Sequence, residues 1–313
     1  MLSIKKNKNF NPNDASISGD GTHAVSHFQW SDALMMFIIT VLCCTCIFPF
    51  FHIIAKSLSE TSAVASQKVG FWPVGFNLEA YQSIIKDGRM TYSIGYSAVV
   101  TVVFAILGVL VTICAAYPCS KKDLPFRPFL LFVLMLPMYF GAGLIPTYLL
   151  FNDLNMLDTV WVLILPILFS PYNMLVMKSF LQSSIPASLE ESALLDGAGY
   201  FRILGQIVIP LSKPIIATLL LFYAVGRWNS YSDNLYYIKL NENLKMIQYL
   251  LYQMVSTAND SQSIAMSEGS AVTTNPEVIQ SAAIMVTTLP ILIVYPFVQK
   301  HFVKGVMIGS VKG

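Results

Sequence analysis

The sequence predicts an all-α membrane protein with six transmembrane helices, and three observations predict it. Only 12% of the 313 residues are charged, 55% are hydrophobic, and the mean hydropathy is +0.62. A soluble domain carries about 25% charged residues, so a water-solvated globular surface of this size is excluded. The apolar residues fall in six runs of roughly the 18 or more residues that cross a hydrocarbon core as helix. None of the runs alternates as a barrel strand does, and lipid-exposed backbone that must satisfy itself locally becomes helix.

The runs cover residues 33–55, 90–117, 129–151, 160–177, 215–237 and 278–298, and Arg227 interrupts the fifth. Before them, residues 1–30 read as a disordered cytoplasmic tail rich in Asn, Ser, Gly, Asp and Lys. No signal peptide is expected, because the first apolar run is too long for one and reads as an uncleaved anchor. Residues 31–313 read as one transmembrane domain. With the N-terminus inside, 12 of the 19 Lys and Arg fall on the inner side, Lys121, Lys122, Arg127, Lys178, Arg202 and Lys213 among them. The positive-inside rule therefore places both termini in the cytoplasm.

Pro49, Pro137, Gly141, Gly143, Pro146, Pro166, Pro171 and Pro290 lie inside the runs, which predicts bent helices. The outer segment before Arg89 carries Phe71, Trp72, Pro73 and Phe76, an aromatic set suited to the membrane interface. A longer outer loop, 239–277, contains a short amphipathic helix at 246–254 and then a mobile polar stretch. Cys43, Cys44, Cys46, Cys114 and Cys119 behave as small hydrophobes, so neither a disulfide nor a metal is expected. His23 and His27, four apart, have no third ligand nearby. No catalytic Ser/His/Asp or Cys/His set is present, and no nucleic acid is implied.

The informative stretch lies in the inner loop 179–212. From Ser188 the spacing predicts a capping box with Glu191, with Glu190 and Glu191 complementing the helix dipole. Leu189, Ala193 and Leu194 form a narrow apolar stripe, and Gly197 or Gly199 closes the helix in a left-handed turn. Such a helix suits docking into another protein's groove. No Gly-x-x-x-x-Gly-Lys-Ser/Thr phosphate loop is present, so the energy for any transport must come from elsewhere.

The spacing is specific. Glu191-Ser192-Ala193, three residues, Gly197, nine residues, Ile207, one residue, Ile209-Pro210 resembles the cytoplasmic motif of ABC importer permeases. Ser192 replaces its first alanine and Ile209 its leucine. Asp196-Gly197-Ala198, Ile185-Pro186, Trp228-Asn229 and the tail 295–313 resemble the carbohydrate-uptake, maltose-permease-like branch. The resemblance runs from the first span to the C-terminus. It implies the type I importer permease fold, and a coupling helix over 190–199 formed by Glu190, Glu191, Ser192, Ala193, Asp196, Gly197 and Ala198. It also implies a second homologous permease subunit, an extracellular solute-binding protein meeting loop 239–277, and two ATPase subunits that bind ATP and Mg. This chain itself would carry no cofactor and would not be an enzyme.

Tyr223, Arg227, Trp228, Asn229, Tyr231, Asp233 and Asn234, with Tyr139 and Asn173, form an aromatic and polar set suited to sugar rings. They are expected to line the translocation path. An arginine at bilayer depth faces an interior or water, so Arg227 either lines the path, where it would suit an acidic sugar, or pairs with an acid on a partner subunit. The competing reading is a self-powered secondary transporter, which should show inverted repeats and its own coupling charges. No convincing repeat is found.

Overall fold

A computed structural model describes residues 30–268 and 276–310. The expected N-terminal tail with His23 and His27, and the side chains of the tail beyond residue 296, lie outside the described residues. The chain divides into two units, residues 1–49 and 50–313. Within the first, the described residues form most of α1 (Trp30–Ser57). Leu34, Met35, Met36, Phe37, Ile38 and Ile39 are exposed on all sides of it, the surface a lipid-facing helix presents. Its 28 residues reach about 42 Å at 1.5 Å per residue.

The second unit contains short α2 (Thr61–Ala65) and amphipathic α3 (Glu79–Asp87), followed by the long α4 (Arg89–Ser120). Then come α5 (Arg127–Tyr139), α6 (Leu144–Asp153), α7 (Val160–Ile164), α8 (Pro171–Ser184), α9 (Ala187–Leu195) and α10 (Tyr200–Ile203). A π turn at Leu204–Val208 leads to α11 (Ile209–Leu211), α12 (Lys213–Asn229), α13 (Ser232–Tyr237), α14 (Ile247–Glu268) and α15 (Pro276–Ser310).

Among the described residues, three helices are long and apolar enough to cross a membrane unbroken: 33–57, 89–120 and 277–296. The expected third span is a pair, α5 and α6, bent by 111° at Phe140-Gly141-Ala142-Gly143, where Gly143 has φ +84°. The expected fifth span ends early, at Asn229, and meets the inner helices at an 82° bend. The expected fourth span is broken outright. Five residues of α7 give way to irregular chain around Pro166 before Pro171 restarts the helix as α8, with the Ser170 hydroxyl accepting from the Asn173 N–H at 3.3 Å. Proline removes a backbone donor and restricts the residue before it. Breaks fall at Gly141–Gly143 and at Pro166–Pro171, whereas Pro49, Pro137 and Pro290 lie inside continuous helices. The helix expected at 246–254 runs much further, to Glu268, so the polar stretch within it is helical.

The core gathers around α4, whose two faces differ. Ser93, Ser97, Thr101, Ala105, Gly108, Thr112 and Ala116 are buried at three- to four-residue spacing, a small-residue stripe that lets backbones approach closely. Val99, Val102, Ile106 and Leu110 face outward. A Cβ on Gly108 would come within 2.8 Å of the Tyr223 ring, so glycine is what permits α12 to lie against α4. The Tyr223 hydroxyl hydrogen-bonds the Thr112 hydroxyl at 2.7 Å and accepts from the Ser170 N–H at 3.3 Å, joining α4, α12 and the break before α8.

Candidate functional site

At the inner motif the helix begins two residues sooner than the capping box required. Pro186 occupies the N-cap with no side-chain cap, and the Leu189 N–H already bonds the Pro186 carbonyl at 3.2 Å. Ser188 therefore sits inside the first turn, where its carbonyl accepts from the Ser192 hydroxyl at 2.9 Å. Pro186, extended at the N-cap, takes the place expected for the serine. The far end matches the expectation. Gly197 has φ +81°, its N–H bonds the Leu194 carbonyl at 3.0 Å, and the Ala198 N–H bonds the Ala193 carbonyl at 2.9 Å, the paired closure of a Schellman motif. The helix is thus Ala187–Leu195, shorter than the expected 190–199.

This helix has two sides. Ala193 and Ala198 pack against the core that contains Tyr117, Ile185 and Ile203. Glu190, its side chain only 12% exposed, turns the same way and forms an ion pair with Lys121, the residue just beyond α4. Glu191, Ser192, Asp196 and Gly197 face outward, beside Leu195 and Phe201, which are 90% and 91% exposed. A large exposed apolar pair, one residue at the end of α9 and one in α10, with Glu191 and Asp196 also exposed, marks a surface suited to being covered.

The outer set divides differently from the expectation. Arg227 is fully buried, in the last turn of α12 rather than mid-span, where a cation complements the helix C-terminus. Its Nη1 pairs with Asp233 Oδ2 at 2.5 Å, its Nη2 donates to Met246 Sδ at 3.0 Å, and its guanidinium carbon lies 5.9 Å from the Phe104 ring centroid. The acid it pairs with lies in its own chain. Asp233 also accepts from the Ser230 hydroxyl at 3.1 Å.

Trp228 is buried and donates from Nε1 to the Thr287 carbonyl at 3.1 Å, joining α12 to α15. Asn234, also buried, donates to the Leu244 carbonyl at 3.0 Å and accepts from the Met246 N–H at 2.8 Å, pinning the chain ahead of α14. Tyr223 and Asn173 are buried at the α4, α8 and α12 junction. The residues left exposed are Asn229, whose amide folds back to the Val225 carbonyl, Tyr139 at 72%, and Tyr231. The structure thus gathers Arg227, Asp233 and Asn234 into one outer knot and leaves Tyr139 and Asn229 apart from it.

Residues the sequence did not single out complete these arrangements. Tyr252 on α14 stacks on Tyr231, centroids 4.8 Å apart. Asp158, with φ +55°, accepts from the backbone N–H groups of Lys239, Leu240 and Asn241 at 2.7, 2.8 and 3.3 Å. Desolvation pushes the Asp158 carboxyl up, but those three donors and the Lys239 charge outweigh it and hold it below the usual aspartate range. Its only sequence signal was an acid without a neighbouring base.

The profile of the binding-protein-dependent transport system inner membrane component family matches residues 105–308, more than half of the chain and the whole inner motif. The chain belongs to this family. It is a transport component of the membrane and not an enzyme. It is 40% identical over 90% of its length, and 98% of the relative's, to the polygalacturonan/rhamnogalacturonan transport system permease protein YtcP of Bacillus subtilis. It is 39% identical to protein LplC of the same organism, covering 85% of this chain and 90% of that one. Its fold matches a chain of a bacterial ABC transporter involved in the import of the acidic polysaccharide alginate, with a TM-score of 0.77 at 28% identity over 88% of this chain and 99% of the other.

Proposed function

We propose that this chain is the permease subunit of an ATP-driven, binding-protein-dependent ABC importer that moves a sugar or oligosaccharide across the bacterial cytoplasmic membrane by alternating access. The single observation that carries the mechanism is the α9 surface. The Gly197-closed helix and the start of α10 present Leu195, Phe201, Glu191 and Asp196 outward, with nothing among the described residues to cover them. Two partner ATPase subunits, holding ATP and Mg, would dock there, and their closure would move the helix as a rigid body. A second homologous permease subunit completes the pore. The binding protein meets the outer loop 239–277, whose base is pinned by Asn234 and Asp158.

Six crossings follow if α1, α4 and α15 cross unbroken, α5–α6 and α10–α12 cross as bent pairs, and α7–α8 crosses as a broken one. The inner charges then place both termini in the cytoplasm. An acidic oligosaccharide is the favoured cargo, and the relatives' substrates support it. Arg227 no longer does, because Asp233 neutralises it within the fold. The exposed Tyr231 and the Tyr252 stacked on it are better placed to meet a sugar ring.

Reconstitution of the complete importer in proteoliposomes tests the reading. Gly197→Arg should abolish binding-protein-stimulated hydrolysis and uptake together, and unchanged coupling would make the docking assignment wrong. A screen of acidic and neutral oligosaccharides against the cognate binding protein tests the cargo, and exclusive binding of neutral sugars would remove the acidic reading.

A further inference from the structure

We propose that Glu190 and Lys121 form a latch through which the docking helix α9 moves α4, and that α4 carries the displacement to the outer loop. The inference rests on the reading of α9 as the ATPase-docking helix and adds the route by which its motion leaves the inner loop.

The end of α4 is gripped from several elements at once. Lys121 pairs with Glu190 of α9, and the same ammonium lies 4.6 Å from the centroid of the Tyr117 ring. Gln182 of α8 donates to the Ser120 carbonyl at 3.0 Å, and Arg127 of α5 donates to the Cys119 carbonyl at 3.0 Å. Of these polar contacts Lys121 is the one that reaches α9, beside the apolar packing of Ala193 against the core that holds Tyr117. At its opposite half α4 holds the outer segment, because the buried Ser97 hydroxyl accepts from the N–H of Ile247, the first residue of α14, at 2.8 Å. The next residue back, Met246, receives the Arg227 guanidinium.

Between these two attachments α4 is one continuous helix, its single proline, Pro118, lying in the last turn. The segments α5–α6 and α10–α12 are bent by 111° and 82°, and α7–α8 is interrupted. A bend absorbs displacement, whereas an unbroken helix packed along one whole face transmits it. The pair is also well suited to transmission rather than to holding the fold, since a partly exposed ion pair contributes little to stability.

The experiment uses the complete importer, with this chain, its partner permease, the ATPase subunits and the binding protein, in proteoliposomes. It reads complex yield, solute moved per ATP hydrolysed, and stimulation of hydrolysis by the loaded binding protein. Lys121→Gln and Glu190→Gln should each assemble at the original yield and lose about fivefold or more in solute moved per ATP, the lower range of an inter-site coupling. The exchanged pair Lys121→Glu with Glu190→Lys should recover most of that ratio, which a merely stabilising contact would not move.

A ratio unchanged in both single variants overturns the latch. So does an exchanged pair as uncoupled as the single variants, or loss of ATPase from the purified single variants, which would make the pair part of the docking surface. Failure of the underlying reading looks different: Leu195→Asp and Phe201→Asp would retain the ATPase.

Discussion

Arg227 and Asp233 allow a quantitative test of the outer knot. The Arg227 side chain is fully buried and that of Asp233 is 17% exposed. Replacing Asp233 with Asn leaves the guanidinium with Met246 Sδ and the Phe104 ring, neither of which carries a compensating charge. Removing one member of a buried pair costs about 3–5 kcal/mol. Water can partly reach the vacated acid, which favours the lower end, about 3 kcal/mol. Arg227→Met strands a carboxylate that keeps the Ser230 hydroxyl and some solvent, so its cost is smaller. The double variant removes both charges and should lose less stability than the sum of the two single losses, with a coupling of at least about 1–2 kcal/mol. Equilibrium unfolding in mixed detergent–SDS micelles, followed by tryptophan fluorescence, measures all four corners. Additive single effects, with no coupling, would refute the pairing. Arg227→Gln separates the remaining roles, because an in-chain knot predicts loss of stability while the partner permease stays bound at saturating concentration.

Four further outcomes follow from the geometry. Gly108→Ala should destabilise by about 1–3 kcal/mol, since its Cβ would meet a Tyr223 ring held edge-on against Phe104, and the same unfolding assay detects it. Gly197→Ala meets no atom within 4 Å but keeps φ +81°, so it should cost about 1–2 kcal/mol of backbone strain and leave the isolated chain folded, as thermal unfolding will show. Leu195→Asp and Phe201→Asp should change the stability of the isolated chain by less than about 0.5 kcal/mol, yet abolish co-purification of the ATPase. Asp158 has a lowered pKa, so its clasp on Lys239–Asn241 is complete above the ordinary aspartate value of about 3.9 and weakens as pH falls through the lower folded value. Hydrogen exchange of the 239–241 amides should show that acid-dependent loss, and Asp158→Asn should remove the pH dependence.

Much of the inner site was legible because its signal is local. A glycine at positive φ ends a helix within one turn, so closure at Gly197 or Gly199 could be read directly, and the structure selects Gly197. The capping box at Ser188 failed for an equally local reason: Pro186, two residues earlier, is the stronger start signal. The side on which each glutamate lies was not legible, because Glu190 turns inward only through Lys121, 69 positions away. The outer set shows the same limit. Tyr223, Trp228 and Asn234 have the chemistry of sugar contacts, yet each spends its polar group on a backbone or hydroxyl partner in another segment.

By itself the sequence determined that the chain is helical and made for lipid, and that a helix closed at Gly197 or Gly199 belongs to a family-spaced motif. Those properties follow from composition and from interactions within a few residues. Tertiary structure alone decided that Arg227 is neutralised by Asp233, that Gly108 admits Tyr223, and that Glu190 holds α4 while Glu191 faces out. The physical reason is that burial and charge pairing are properties of packed neighbours. Two residues identical in type and adjacent in sequence, such as Glu190 and Glu191, acquire different roles only when other helices lie against one side of the turn.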